Sequence, residues 1–382
     1  MSDIRAWWAH RQGLDGTMAK CGPADVLAGA GWARSVGGAN PYLSLWARAG
    51  STRSEVDAAM ADLELYELPA ARGCTYVVPR AHFALALQVG RNEAEIQTLG
   101  KLGVTRAEVD SLCTAVLEVV GDEPIDPAQL KTVLGDKVRN LGDEGRRRGA
   151  TTTLPAVLGF LQGKGQLRRV PRNGRLDQQQ YGYVRWDAPD TGLTDEAARA
   201  ELARLYFQWT GPASVAHFRW FSGLSAAAAK AAVAGLELVD VGDGLLPADL
   251  VDEYRDFQSP TTPTYRLLAN FDAVVLLRRD HQALIDGEVV LPGGEPVTGA
   301  TYLADHPIVD RGRIVGLWQY DPDTEKVVWW AFEPPEDLDA LRAAVTETET
   351  FVRDHLGDVR SGGLDSPKSR QGRLATLSSW RS

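Results

Sequence analysis

Local stop-and-start signals divide the first 260 residues of this chain into three passes of one pattern, and that repetition constrains the fold more than any other feature. Each pass reads as three helices followed by an extended hairpin. In the first, Pro23 to Arg34 reads as a helix with proline in its first turn, and Pro41 to Gly50 as a second. Thr52 with Glu55 makes a capping-box pattern for a third helix, whose Val56, Ala59, Met60 and Leu63 keep the helical period. Two short extended runs then flank Pro69 to Gly73.

The second pass opens at Thr105, which caps a helix through Val120, and continues with Asp126-Pro127 at the start of the next. TTTLPAVLGFLQGKG supplies its third helix, and the runs 166–170 and 179–186 flank an Asn173-Gly174 turn. The third pass has an amphipathic helix over 195–206, then a helix from Pro212 to Phe221, a Ser222-Gly223-Leu224 turn and a helix capped by Ser225. That is helix-turn-helix grammar. From Tyr265 onward the pattern shifts to short apolar runs, YRLLANFDAVVLLRR, RIVGLWQYD and KVVWWAFEP, then an amphipathic helix over 336–355 and a polar tail. The expected fold class is α+β: three tandem winged-helix units over 1–100, 101–190 and 191–262, then a mostly β C-terminal domain over 263–382.

Charge locates a candidate interface. The chain carries −10 overall, yet residues 131–175 hold eleven Lys or Arg against three acidic residues, a net +8 that leaves −18 elsewhere. A basic segment inside an acidic protein is an electrostatic footprint for nucleic acid. It coincides with the third helix and hairpin of the second pass, the parts that meet a groove and its phosphates in a winged helix. The expected DNA contacts are Arg146, Arg147, Arg148, Lys164, Arg168, Arg169, Arg172 and Arg175, with double-stranded DNA as partner. The alanine-rich helix after Ser225 offers only Lys230 to base edges, so it is expected to pack rather than read. Trp209, Phe218, Trp220 and Phe221 read as core, and His217 as a packed histidine.

Other classes are poorly served. Cys21, Cys74 and Cys113 lie far apart, which suits neither a disulfide framework nor zinc, and the 6 histidines are scattered; no metal and no cofactor are expected. No signal peptide or 18-residue apolar stretch is evident, so a cytoplasmic, nucleoid-associated location is expected and a membrane role is not. P-loop, dinucleotide, GxSxG and HExxH signatures are missing. The sequence leaves the oligomeric state open.

Several strings together resemble one family: GWARSVGGANPYLSLWAR, RGCTYVVP, WTGPASVAHFRWFSGL, RLLANFDAVVLL, IVGLW and SPKSR, in conserved order over most of the chain. They are similar to segments of the AlkZ-like winged-helix DNA glycosylases. The resemblance implies base excision and DNA repair, acting on alkylated or cross-linked bases without a metal. It also implies a polar pair, Gln-x-Gln or similar, shortly before the LWAR string. Without gaps, those two positions fall on Arg34 and Val36, which cannot position a water as glutamines do. A guanidinium about 4 Å from an oxocarbenium-like sugar would cost roughly 4 kcal/mol at an effective dielectric of 20, about three decades in rate. Asn40, four residues after Val36, and Glu67, before the first hairpin turn, are the candidate replacements. Asp272 lies in one of the family strings, where a structural role at a strand end is expected. Three readings are open: a glycosylase with an altered catalytic set; a non-catalytic DNA-binding protein, such as a transcriptional regulator or damage sensor, that kept the scaffold; or a protein whose Arg34 recognises an anionic small ligand in the former base pocket.

Overall fold

The computed structural model describes residues 3–91, 93–278, 281–291, 296–297, 302–362 and 365–378. After α1 (Ile4–Arg11), the first segment runs α2 (Pro23–Ala30), β1 (Ala33–Arg34), α3 (Asn40–Ala49), α4 (Arg53–Ala61), β2 (Leu65–Pro69) and β3 (Thr75–Pro79). Thr52 and Glu55 close the capping box on α4. One boundary differs from the sequence reading, and it bears on function. The first helix stops at Ala30, because Gly31 takes φ 104°, a conformation open to glycine. Arg34 therefore lies on a strand instead of a helix end.

A connecting pair, α5 (Phe83–Gly90) and α6 (Ala94–Lys101), leads to α7 (Arg106–Val119), α8 (Pro127–Leu134), α9 (Gly142–Arg147) and α10 (Leu154–Gly163). The hairpin β4 (Leu167–Pro171) and β5 (Tyr181–Arg185) follows. Reciprocal caps at Thr105/Glu108 and Asp126/Gln129 start α7 and α8. Then come α11 (Asp195–Thr210), α12 (Val215–Ser222), α13 (Ala226–Val233), β6 (Leu238–Asp240), β7 (Leu245–Pro247) and α14 (Val251–Asp256). Gly223 ends α12 in a left-handed conformation and Ser225 caps α13.

The C-terminal part carries β8 (Tyr265–Leu267), α15 (Ala273–Leu276), β9 (His306–Asp310), β10 (Arg313–Asp321), β11 (Lys326–Ala331), α16 (Leu338–Phe351) and α17 (Pro367–Ser378). Its antiparallel sheet has the order β11-β10-β9-β8. Two expectations change here. The AVVLL run, which reads as strand, is the short helix α15, because Asp272 accepts from the Val274 N–H and caps it. The polar tail is α17, whose Arg370 is buried and paired with Asp358.

The three-stranded sheet β1-β3-β2 lies between two cores. Ala33 and Val77 pack with Tyr42, Leu43, Trp318 and Phe351, joining the first segment to the C-terminal part. Trp32, Leu68 and Tyr76 pack on the other side with Phe207, Trp209 and Phe221. Each large side chain so buried contributes about 1.5–3 kcal/mol. The sheet is thereby held from both faces, which fixes the polar groups at its edge.

Candidate nucleic-acid interface

The edge of the first sheet meets the second hairpin in a buried polar junction. In the ladder Glu67 stands opposite Val77, and Val77 opposite Ala33, so these three side chains share one face. The Ser35 N–H continues the ladder to the Thr75 carbonyl at 3.1 Å, which returns Ser35 to that same face. Its hydroxyl donates to Glu67. Arg34 belongs to the opposite face with Tyr76 and Leu68, and its guanidinium lies over the Tyr76 ring, 5.7 Å from the centroid. Burial, eased by Arg34, pushes the Tyr76 hydroxyl up to about 12. Among the described residues no carboxylate pairs with Arg34.

Glu67 is fully committed. Arg169 grips both carboxylate oxygens, with its Nε donating to Oε2 at 3.0 Å, and the Tyr181 hydroxyl donates to Oε1 at 3.1 Å. The Arg169 guanidinium also lies over the Tyr181 ring at 4.0 Å. Gln179 completes the junction by donating to the Ser35 carbonyl at 3.2 Å and to the Tyr181 oxygen at 2.9 Å. Burial pushes the Tyr181 hydroxyl up, which keeps it a donor. Asn40 is buried and donates to the Arg34 carbonyl at 2.6 Å, while its Oδ1 has no hydrogen-bond partner. Val36 is half-buried. The junction therefore brings Glu67 against Ser35, the residue between the two family positions, and leaves Arg34 facing away.

Glycines permit the close approach of the second hairpin. Gly38 has φ 82°, and a Cβ there would stand 2.6 Å from the Asp177 backbone. Arg175, in the hairpin turn, pairs with Asp177 and donates to the carbonyls of His355 at 3.3 Å and Leu356 at 3.1 Å. It thus covers the C-terminal end of α16 and its continuation, where carbonyls lack helical partners.

The remaining cations divide by exposure. Arg146, Arg147 and Arg148 are exposed at the end of α9, Arg146 pairing with Asp143 and Arg148 with Glu144 at 3.0 Å. Arg172 is exposed, 3.4 Å from Asp126. Lys164 is exposed over the Phe160 ring at 4.3 Å. Such surface pairs are worth about 0–1 kcal/mol, so phosphates can replace them at little cost. Arg168, Arg169 and Arg175 are only partly exposed. Helix α10, expected to meet a groove, is instead covered by α5, α6, α7, β2 and β4, with Gln162 buried. The third helix of the first segment, α4, exposes Glu55 and is followed by exposed Asp62 and Glu64, a poor partner for phosphate. In the third segment Trp209, Phe218 and Phe221 are buried, Trp220 is half-buried under Arg72, and His217 closes the capping box on α12.

Ser35, Gln179 and Tyr181 were not singled out in the sequence. Periodicity could have flagged Ser35 once Arg34 was known to be on a strand, but nothing local links Glu67 to a partner 102 positions away. Among the described residues no cluster of three or more His, Cys, Asp or Glu could hold a metal, and no helix is long and apolar enough to cross a membrane. The three cysteines are unpaired.

The comparisons agree with this architecture. No curated protein matches the chain. Among solved structures, the Streptomyces sahachiroi DNA glycosylase AlkZ superposes with a TM-score of 0.67 at 21% identity, covering 94% of this chain and 98% of that one. At that identity the likeness establishes a shared fold. The family model described as "DNA glycosylase AlkZ-like" matches residues 33–351. The chain belongs to the AlkZ-like DNA glycosylase family.

Proposed function

We propose that the protein is a tandem winged-helix protein that binds duplex DNA and engages damaged sites in it, alkylated or cross-linked bases among them. One observation carries this reading: of the eleven cations in residues 131–175, eight are exposed, namely Lys131, Lys137, Arg139, Arg146, Arg147, Arg148, Lys164 and Arg172. Guanidinium groups stay charged at any relevant pH and bind phosphate oxygens bidentately. The first segment supports the winged-helix reading, since it runs helix, strand, helix, helix, strand, strand and its sheet order places the first strand beside the last. Family membership supports a role in DNA repair.

A second reading, DNA binding without excision, is favoured by the state of Glu67. A carboxylate that already accepts from Ser35, Arg169 and Tyr181 has little capacity left to activate a water. The test is a fluorescence anisotropy titration against two duplexes that differ only in a central abasic-site analogue, followed by a base-release assay on alkylated duplex. Preference for the abasic duplex with base release supports the glycosylase. Equal, salt-sensitive binding without release supports the second reading. Absence of binding at 50 mM salt overturns both.

A further inference from the structure

A cleft of ≈ 190 Å³ opens between α4 and β2 on one side and the second hairpin on the other. Its lining includes Asp57, Tyr66, Glu67, Arg168, Arg169 and Trp186. Two acids and two guanidinium groups line it, but only one pair forms among them. Glu67 takes Arg169, and Asp57 takes Arg53 at 3.3 Å together with the Tyr42 hydroxyl at 2.5 Å. Arg168 is left over. Strand alternation turns it to the face of β4 opposite Arg169. Among the described residues its guanidinium makes no hydrogen bond or ion pair, and its Nε is buried without a partner. Burial pulls this guanidinium below its ordinary value, offset only by the Tyr66 hydroxyl. A half-buried cation without a counter-charge costs free energy that an anionic ligand would recover.

The neighbouring wall is aromatic. Tyr66 and Trp186 lie nearly parallel, with centroids 5.9 Å apart and an interplanar angle of 18°, and Phe83 packs against both at 4.6 and 5.1 Å. Both rings are half-buried, so each keeps surface open to solvent. The volume falls below the range of about 300–1,000 Å³ typical of sites for drug-sized ligands. The cleft suits one planar ring with a charged group beside it.

From the unmatched guanidinium beside an aromatic wall, we infer that this cleft is a binding site for a nucleoside monophosphate unit, its phosphate on Arg168 and its base against Tyr66 and Trp186. The unit can come from a DNA strand or from a free mononucleotide. The inference deepens the DNA-binding reading but stands on a different part of the surface from the exposed cations of α9.

The test is isothermal titration of the full chain with 5′-deoxynucleoside monophosphates, the matching nucleosides, inorganic phosphate and a short single-stranded oligonucleotide. Monophosphates are expected to bind, and nucleosides to bind at least about tenfold more weakly, because a charge-assisted hydrogen bond is lost. Arg168→Met keeps the apolar stem and should abolish that difference while leaving the melting temperature unchanged or higher. Trp186→Leu should weaken monophosphates and nucleosides alike. Tighter binding of the oligonucleotide than of the monophosphate identifies the strand as the source, and equal binding identifies the free nucleotide. The inference is overturned if monophosphates do not bind, or if they bind wild type and Arg168→Met equally. Duplex binding measured in parallel separates the two readings. Duplex binding that persists while monophosphates fail removes only this inference, and the reverse result removes only duplex recognition.

Discussion

Arg48 and Asp272, 224 positions apart, meet as a bidentate pair at 2.7 and 2.8 Å with both side chains almost wholly buried. The Ser44 hydroxyl donates to the same carboxylate at 2.7 Å, and Gln12 accepts from Arg48 at 3.2 Å. Asp272 also caps α15, so the pair ties α3, the residue that follows α1 and the C-terminal part together. Arg48 belongs to the LWAR string, and the pairing gives that string a structural reason.

Removing one partner of such a pair leaves a buried charge without compensation. Asp272→Asn should therefore destabilise the protein by about 3–5 kcal/mol. Denaturant unfolding read by tryptophan fluorescence checks this. An effect below about 1 kcal/mol would show that water reaches Arg48. Replacing both residues with apolar side chains of similar volume should restore part of the loss, because the desolvation cost disappears with the charges.

Glu67 and Arg169 call for a different experiment, because the question is whether the carboxylate acts on structure or on substrate. Glu67→Gln should cost roughly 3 kcal/mol, since it leaves Arg169 partly buried and unpaired. Combining it with Arg169→Met should cost less than the sum of the single changes, a coupling that a double-mutant cycle measures directly. If Glu67 positions the hairpin, any base-release activity should fall in step with folded fraction. Loss of base release in a fully folded Glu67→Gln variant would instead assign the carboxylate to the chemistry.

The elements that declare themselves locally were legible in the chain. Thr52 with Glu55, Thr105 with Glu108, and Asp126 before Pro127 each satisfy backbone donors within one turn, so three residues suffice to place a helix start. Segments whose state depends on distant packing were not. The AVVLL run has the composition of a strand, but an aspartate immediately before it and contacts in two cores turn it into a short helix. Arg34 looked like a helix end until Gly31 broke the helix, and with that break the face it occupies changed. Arg169 and Arg175 had the same local character as Arg146 to Arg148. Tertiary structure turns Arg169 toward Glu67 on another part of the fold and brings Arg175, paired with Asp177 in its own turn, onto the carbonyls of His355 and Leu356.

That division among the arginines has a direct consequence for DNA binding. Replacing Arg146, Arg147 and Arg148 together with alanine should reduce the slope of log affinity against log salt by up to about 2.7, since each phosphate contact contributes about 0.9. Arg175→Ala should leave the slope unchanged and lower stability by about 1 kcal/mol, through loss of the contacts at the end of α16. Anisotropy titrations from 50 to 200 mM salt distinguish the two. A slope that falls for Arg175→Ala but not for the triple variant would move the interface from α9 to the hairpin turn.

Stability should also respond to pH at the N-terminal helix. His10 Nδ1 lies 2.7 Å from Asp15 and its Nε2 3.4 Å from Glu253, while Trp7 and Phe257 pack on the ring. The hydrogen bond to Asp15 raises the His10 value above 6.5, opposed by burial and reinforced by Glu253. A raised folded value means that the contribution is fully present below about pH 6.5 and is lost as pH climbs through the folded value. The Asp15 carboxylate is held below its ordinary 3.8 against the pull of burial, through His10 and Thr17, so its own contribution is lost only on the acid side. The pair should stabilise the fold most between those limits, and melting temperature should decline from pH 6 toward pH 8. His10→Asn should flatten that decline, with the variant losing more at pH 6 than at pH 8. An equal loss at both values would mean that the ring acts by packing on Trp7 and Phe257 rather than by charge.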